Sequence, residues 1–145
     1  MNEITTLKNL ILDKVQTNMR EVAGRMADDM QNRLAAGNHI DTGNLISSIT
    51  PGAERDDKEI TAYIDITAES EKGAWYAEFL EFGTGIYNER GDGRQTPWKY
   101  QDREGKWHQT QGMQADPFIR PSVAAHIGEL EGKIDEALNI ERYKR

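Results

Sequence analysis

The sequence predicts an α+β domain in which a long N-terminal helix and a C-terminal helix pack on a small, mainly antiparallel sheet, with a β-hairpin arm projecting from it. Three observations carry this. An apolar stripe recurs at steps of three and four from Ile4 to Leu34 and again from Val123 to Leu138. Between them, Ile60, Ala62, Ile64, Ile66 and Ala68 alternate with Thr61, Tyr63, Asp65 and Thr67, the period of a half-buried strand. A third stretch, residues 85–115, is rich in glycine and aromatics and too long for an ordinary connection.

The first stripe, Ile4, Leu7, Ile11, Val15, Met19, Val22, Met26, Met30 and Leu34, is one face of a helix that Gly37-Asn38 stops. Such a helix of about 33 residues is roughly 50 Å long. A compact domain of this size spans only about 38 Å. The helix therefore either kinks, with Gly24 as the place, or covers part of another subunit with its end. Next, a strand around Ser47 to Thr50 is expected to turn at Pro51-Gly52 and Glu54 to Lys58 and pair antiparallel with the alternating strand. Gly73 breaks that strand, and Ala74 to Phe82 reads as a short helix ending at Gly83. In the arm, Thr96 to Gln101 and Lys106 to Thr110 flank the turn Asp102-Arg103-Glu104-Gly105. A last helix runs from Pro117 or Pro121 to about residue 140, and the basic tail Arg142 to Arg145 suits its C-terminus.

With 145 residues, the chain is expected to form a single domain, 1–145, with its arm at about 85–115. It contains no cysteine, which excludes disulfides, thiolate metal sites and a thiol nucleophile, so stability must come from packing. A net charge of -7 and a pI near 5.0 argue against a protein that grips nucleic acid, and the acid excess is concentrated in residues 37–72. No basic segment followed by an apolar stretch opens the chain and no apolar run could span a bilayer, so a soluble protein assembled in the cytoplasm, with no membrane partner, is expected.

Candidate chemistry is sparse. Asp41-Thr42-Gly43 has the form of an aspartic-protease motif, whose single copy could be completed by dimerisation. That chemistry needs the aspartate on a loop after an apolar strand, whereas here a helix and a polar turn precede it and Asn44 follows. The motif reads instead as a turn capped by Asp41 or Thr42, with Gly43 freeing the backbone. His39, His108 and His126 lack ligand spacing, the glycines at 83, 85, 91 and 93 match neither phosphate-binding pattern, and Ser47, Ser48, Ser70 and Ser122 have no neighbouring base. No catalytic residue, metal or cofactor is expected. Tyr87, Trp98, Tyr100 and Trp107, interspersed with Arg and Lys, could stack single-stranded nucleic acid or pack on the domain's own sheet. Glu89, Asp92, Asp102 and Glu104 nearly cancel the basic charge, and the Trp, Tyr and Arg mixture is that of a contact between subunits.

Three signatures in fixed order add to this reading. They are Asp41-Thr42-Gly43-x-Leu45 with Ser48-Ile49; Tyr76-Ala77 followed by Glu81-Phe82-Gly83-Thr84-Gly85; and Ala115 shortly before Pro117-Phe118 and the closing helix. In this the chain resembles the neck and tail-completion proteins of long-tailed bacteriophages, the head-tail joining family of lambdoid and related phages. The resemblance implies a structural virion protein of an infectious phage or prophage. By it, copies form a ring, a hexamer, that completes the tail and meets the tail terminator or tube protein on one face and the head-closure or connector protein on the other. DNA would be only passing cargo.

Overall fold

In the computed structural model, residues 2–37, 42–67, 71–102 and 104–144 are described, without the side chains of residues 42 and 71–75. Asn38, His39, Asp41, Ala68, Ser70, Arg103 and Arg145, each part of a sequence-based expectation, lie outside the described residues, as does the side chain of Thr42.

The architecture is α+β. Helix α1 (Glu3–Ala36) is followed by α2 (Thr42–Ser47), strands β1 (Ile49–Arg55) and β2 (Ile60–Ile66), α3 (Glu71–Phe82), strands β3 (Trp98–Gln101) and β4 (Trp107–Thr110), and α4 (Ile119–Leu138). Asn2 caps α1 by accepting the Thr5 N–H at 2.8 Å, and Glu3 adds a favourable charge to its first turn. The helix is continuous through Gly24, from Glu3 to Ala36. At about 1.5 Å per residue its 34 residues reach roughly 50 Å.

The buried stripe of α1 begins only at Val15 and continues through Asn18, Val22, Ala23, Met26, Ala27, Met30 and Leu34. Asn18 is buried because it is satisfied, donating from Nδ2 to the Lys133 carbonyl of α4 at 2.9 Å. Further along, Arg25 pairs with Glu129, and His126 lies 3.7 Å from Asp29, so α1 and α4 run antiparallel. The core joins Val22, Met26, Met30 and Leu34 to Leu45, Ile49, Ala77, Leu80 and Phe118. Ile4, at 79% exposure, and Leu10 lie outside it, at the end of the molecule where α4 finishes with the exposed Leu138 and Ile140. Ile127 is exposed as well, so the apolar row expected to cover α4's core face is only partly used.

Strands β1 and β2 form one antiparallel ribbon in register from Ile49↔Ile66 to Arg55↔Ile60, and β3 with β4 forms the second, from Trp98↔Thr110 to Gln101↔Trp107. Two expected boundaries move. Pro51-Gly52 lies within β1 rather than in the turn, which tightens instead at residues 56–59 with the Asp56 N–H donating to the Glu59 carbonyl. Gly52 faces Tyr63, whose ring occupies the space a Cβ would take, so the residue serves close packing. Gly73 does not end the preceding strand; it lies in the first turns of α3, where backbone groups still reach outside the helix and a glycine is tolerated. No described helix is long and apolar enough to cross a membrane.

Candidate functional site: a clasped hairpin arm

Helix α4 starts on Phe118-Ile119-Arg120-Pro121, a sequence with no Ser, Thr, Asp or Asn to cap it. The cap comes from elsewhere. Glu81, in the last turn of α3 and only 1% exposed, accepts the N–H groups of Phe118 and Ile119 on Oε2, each at 2.8 Å, and that of Arg120 on Oε1 at 2.9 Å. The fourth residue of that turn is Pro121, which has no N–H to satisfy, so every orphan donor of the helix start is accounted for. Arg120 closes the pair by donating from Nε to Glu81 Oε1 at 2.9 Å and from Nη2 to the Glu81 carbonyl at 2.6 Å. Burial pushes the Glu81 carboxyl up, but three backbone donors and the guanidinium outweigh it and hold it below its ordinary value. The helix dipole favours the same charged form.

The clasp fixes where the arm leaves and returns. Gly83 ends α3 at φ 77°, its N–H donating to the Phe79 carbonyl at 2.8 Å, and a Cβ there would press on the carbonyl oxygens of Tyr87 and Met113. Thr84 bonds Met113 twice, its N–H to the Met113 carbonyl at 2.9 Å and its Oγ1 accepting the Met113 N–H at 2.8 Å. Ile86 N–H reaches the Gln111 carbonyl at 3.0 Å, and the Asp116 N–H reaches that of Leu80 at 2.7 Å. Two backbones meet closely here: a Cβ on Gly85 would strike Gln111, and one on Gly112 would strike Thr84. Phe82 lies beneath the guanidinium of Arg90 at 3.7 Å and of Arg120 at 4.8 Å, while Arg120 also pairs with Glu89 at 2.9 Å.

Beyond the clasp, Asp102 organises the tip. It accepts the N–H groups of Glu104 and Lys106 and bonds His108 Nε2 at 2.7 Å. The His108 bond first, then those backbone donors, hold its carboxyl below the usual range. Tyr100 stacks on His108 at 5.3 Å, and Gly105 turns the chain at φ 83°. Trp107 remains 64% exposed, Tyr87, Tyr100 and Ile86 are exposed too, and Trp98 is half-buried with Arg94 5.7 Å from its ring.

The residues singled out from sequence thus fall in three places. Leu45 and Phe118 are core, with Tyr76 packed against it. Glu81, Phe82, Gly83 and Thr84 form the clasp, which Pro117 adjoins as a half-buried neighbour of Phe118. Tyr87, Trp98, Tyr100 and Trp107 belong to the arm. Thr42 and Gly43 open α2, and no strand precedes them among the described residues, unlike the setting a protease aspartate needs. Nor do the described residues bring together a group of acidic or histidine side chains able to hold a metal. The sequence places Glu81 in a family signature and Glu89 in the charge balance of the arm, but does not by itself join Glu81 to Arg120 and the start of α4, or Arg120 to Glu89. The signal was there in a carboxylate set between Leu80 and Phe82, and in a helix start without its own cap.

The sequence model of the HK97-gp10-like family, described as "Bacteriophage HK97-gp10, putative tail-component", matches residues 1–83, more than half of the chain. The match runs from α1 to Gly83 and holds the first two signatures up to the joint of the arm. No curated protein and no solved structure matches the chain.

Proposed function

The chain belongs to the HK97-gp10-like family of bacteriophage tail components, and from that premise we propose that it completes the tail at the neck, as a ring of identical copies that joins the tail to the head. The family is one of structural components, and the reading requires no catalytic residue. The observation that carries it is the arm: a hairpin fixed at its base by the Glu81 clasp that nevertheless presents Tyr87, Tyr100 and Trp107 to the outside. A rigid base with an exposed aromatic tip suits contact with another subunit better than packing on the chain's own body. The end of α1 supports this, since Ile4 carries the apolar stripe past the core and Leu10, Leu138 and Ile140 are exposed as well.

In this reading arm and overhanging end join neighbours noncovalently into a hexamer. One annular face meets the tail tube or terminator and the other meets the head-closure or connector protein. The acidic chain lets DNA pass without gripping it. Light scattering of the purified chain, together with copy counting in assembled tails, tests the proposal. About six copies per tail are expected; a single copy per particle contradicts the ring.

A further inference from the structure

The two ribbons of this fold differ in which of their edges are closed. Along β1 and β2, the Thr67 N–H donates to the Ser48 carbonyl at one end, at 3.3 Å, and the Asp56 N–H to the Glu59 carbonyl at the other, at 3.0 Å. With the register between them, Thr61, Tyr63 and Asp65 direct their backbone groups to β1, while Ile60, Ala62, Ile64 and Ile66 direct theirs away. The outer edge of β1 is blocked. Pro51 has no N–H there, and the Ala53 carbonyl accepts Gln16 Nε2 at 3.0 Å and Arg20 Nη2 at 3.1 Å from α1.

The outer edge of β2 is open. Among the described residues no hydrogen bond reaches the outward N–H or C=O groups of Ile60, Ala62, Ile64 or Ile66. The strand also lacks the Pro or Lys that commonly protects an edge. The arm is incomplete in the same way. Its strands have four residues each, and an isolated two-stranded ribbon is marginal in water. The Asp102 N–H to Lys106 carbonyl bond sets its phase, so Lys99 and Gln101 on one side and Trp107 and Gln109 on the other face outward. Charge matches edge to arm. Around β2, Glu54, Asp56, Asp57, Glu59 and Asp65 outnumber Arg55 and Lys58, and Arg55 is held by Asp13 at 2.8 Å. On the arm, Arg90, Arg94, Lys99, Arg103 and Lys106 exceed Glu89, Asp92, Asp102 and Glu104 by one, and Asp102 is held by His108.

We infer, resting on the ring reading above, that the open edge of β2 receives an outer strand of the arm of a second copy, uniting two ribbons from neighbouring copies into one four-stranded sheet. Backbone pairing supplies the contact, and the aromatic arm, free of the acid excess of β2 and with Lys99 on an outer edge, meets the acidic ribbon. Because donor and acceptor surfaces differ, the contact is head-to-tail and repeats around a ring.

The chain has no cysteine, so introduced pairs report cleanly. Copies carrying Ala62→Cys are mixed with copies carrying Lys99→Cys or Gln109→Cys, one position on each arm edge, and oxidised in assembled tails. A disulfide between the two kinds of copy is expected in one of the mixtures, and its absence from both overturns the inference. Ala62→Pro removes an outward N–H without touching the β1–β2 ladder. It should leave the cooperative melt intact and cost roughly tenfold or more in assembly; undiminished assembly overturns the inference. Several copies per tail without cross-linking would leave the ring reading standing and refute edge pairing alone, whereas one copy per tail would refute both.

Discussion

Residues up to Phe82 fold around an apolar core, in which Met26, Met30 and Leu34 of α1 meet Leu45, Ile49, Leu80 and, from the start of α4, Phe118. Residues 83–113 have no such core. They are held by positive-φ glycines, backbone bonds between the two legs of the arm and one buried carboxylate, and they leave Tyr87, Tyr100 and Trp107 exposed. The contrast separates two kinds of constraint. A core depends on volume and withstands a change of side chain that preserves it. A clasp depends on backbone conformation and on particular donors, so a small change there acts out of proportion to its size. The family match ends at Gly83, where one regime gives way to the other.

The largest effect should come from the core. Phe118→Ala empties a fully buried site where α4 meets α1 and α3, and should cost about 3–5 kcal/mol in denaturant unfolding. A loss below about 1 kcal/mol would mean that α4 is not integral to the body.

Next comes Glu81→Ala, which strands three N–H groups at the start of α4 and should cost about 3 kcal/mol. The pH dependence follows from the sign of the shift. The folded carboxyl sits below its ordinary 4.5, so its contribution is fully present above that pH and is lost as pH falls through the lower folded value. Melting curves of the parent should therefore fall more steeply below about pH 4.5 than those of Glu81→Gln. Parallel curves would show that the clasp does not couple to folding.

Gly83→Val forces a β-branched residue to φ 77° against two carbonyls and should cost about 2 kcal/mol. Because the strain sits at the joint, tail joining should fall further than melting does, and an equal fall in both would blur the division between body and arm. At the small end, Trp107→Ala should change stability by less than about 0.5 kcal/mol while weakening assembly, since the side chain is mostly exposed.

Much of this fold can be read from local pattern. Periodicity locates α1, the β2 strand and α4, because each is an element whose residues report their own environment at steps of two or of three and four, and a glycine-ended turn between aromatic stretches locates the arm hairpin. What resists reading is whatever depends on residues far apart. Pro51-Gly52 has the composition of a turn, yet Pro51 is accommodated because its missing N–H faces outward from the ladder and Gly52 because Tyr63 needs its space. The stripe from Ile4 gives no sign that burial begins only at Val15 and leaves Ile4 exposed. Glu81 resembles any surface acid until the start of α4, 37 to 39 residues later, is seen to lack a cap. Of the candidate site, the glycines and aromatics announce an arm, while the bonds that hold it do not appear in any local window.

The claim that body and arm are separable is tested most directly by deleting residues 89–112 and closing the gap with a short Gly-Ser linker. The deletion spares α1, both strands of the first ribbon, α3 and α4, together with Glu81 and the donors it caps. The account predicts a cooperative melt by circular dichroism and, in complementation of a phage lacking the gene, heads and tails that accumulate unjoined. Loss of the melt would make the arm part of the core, and a normal yield of joined particles would contradict its role in assembly.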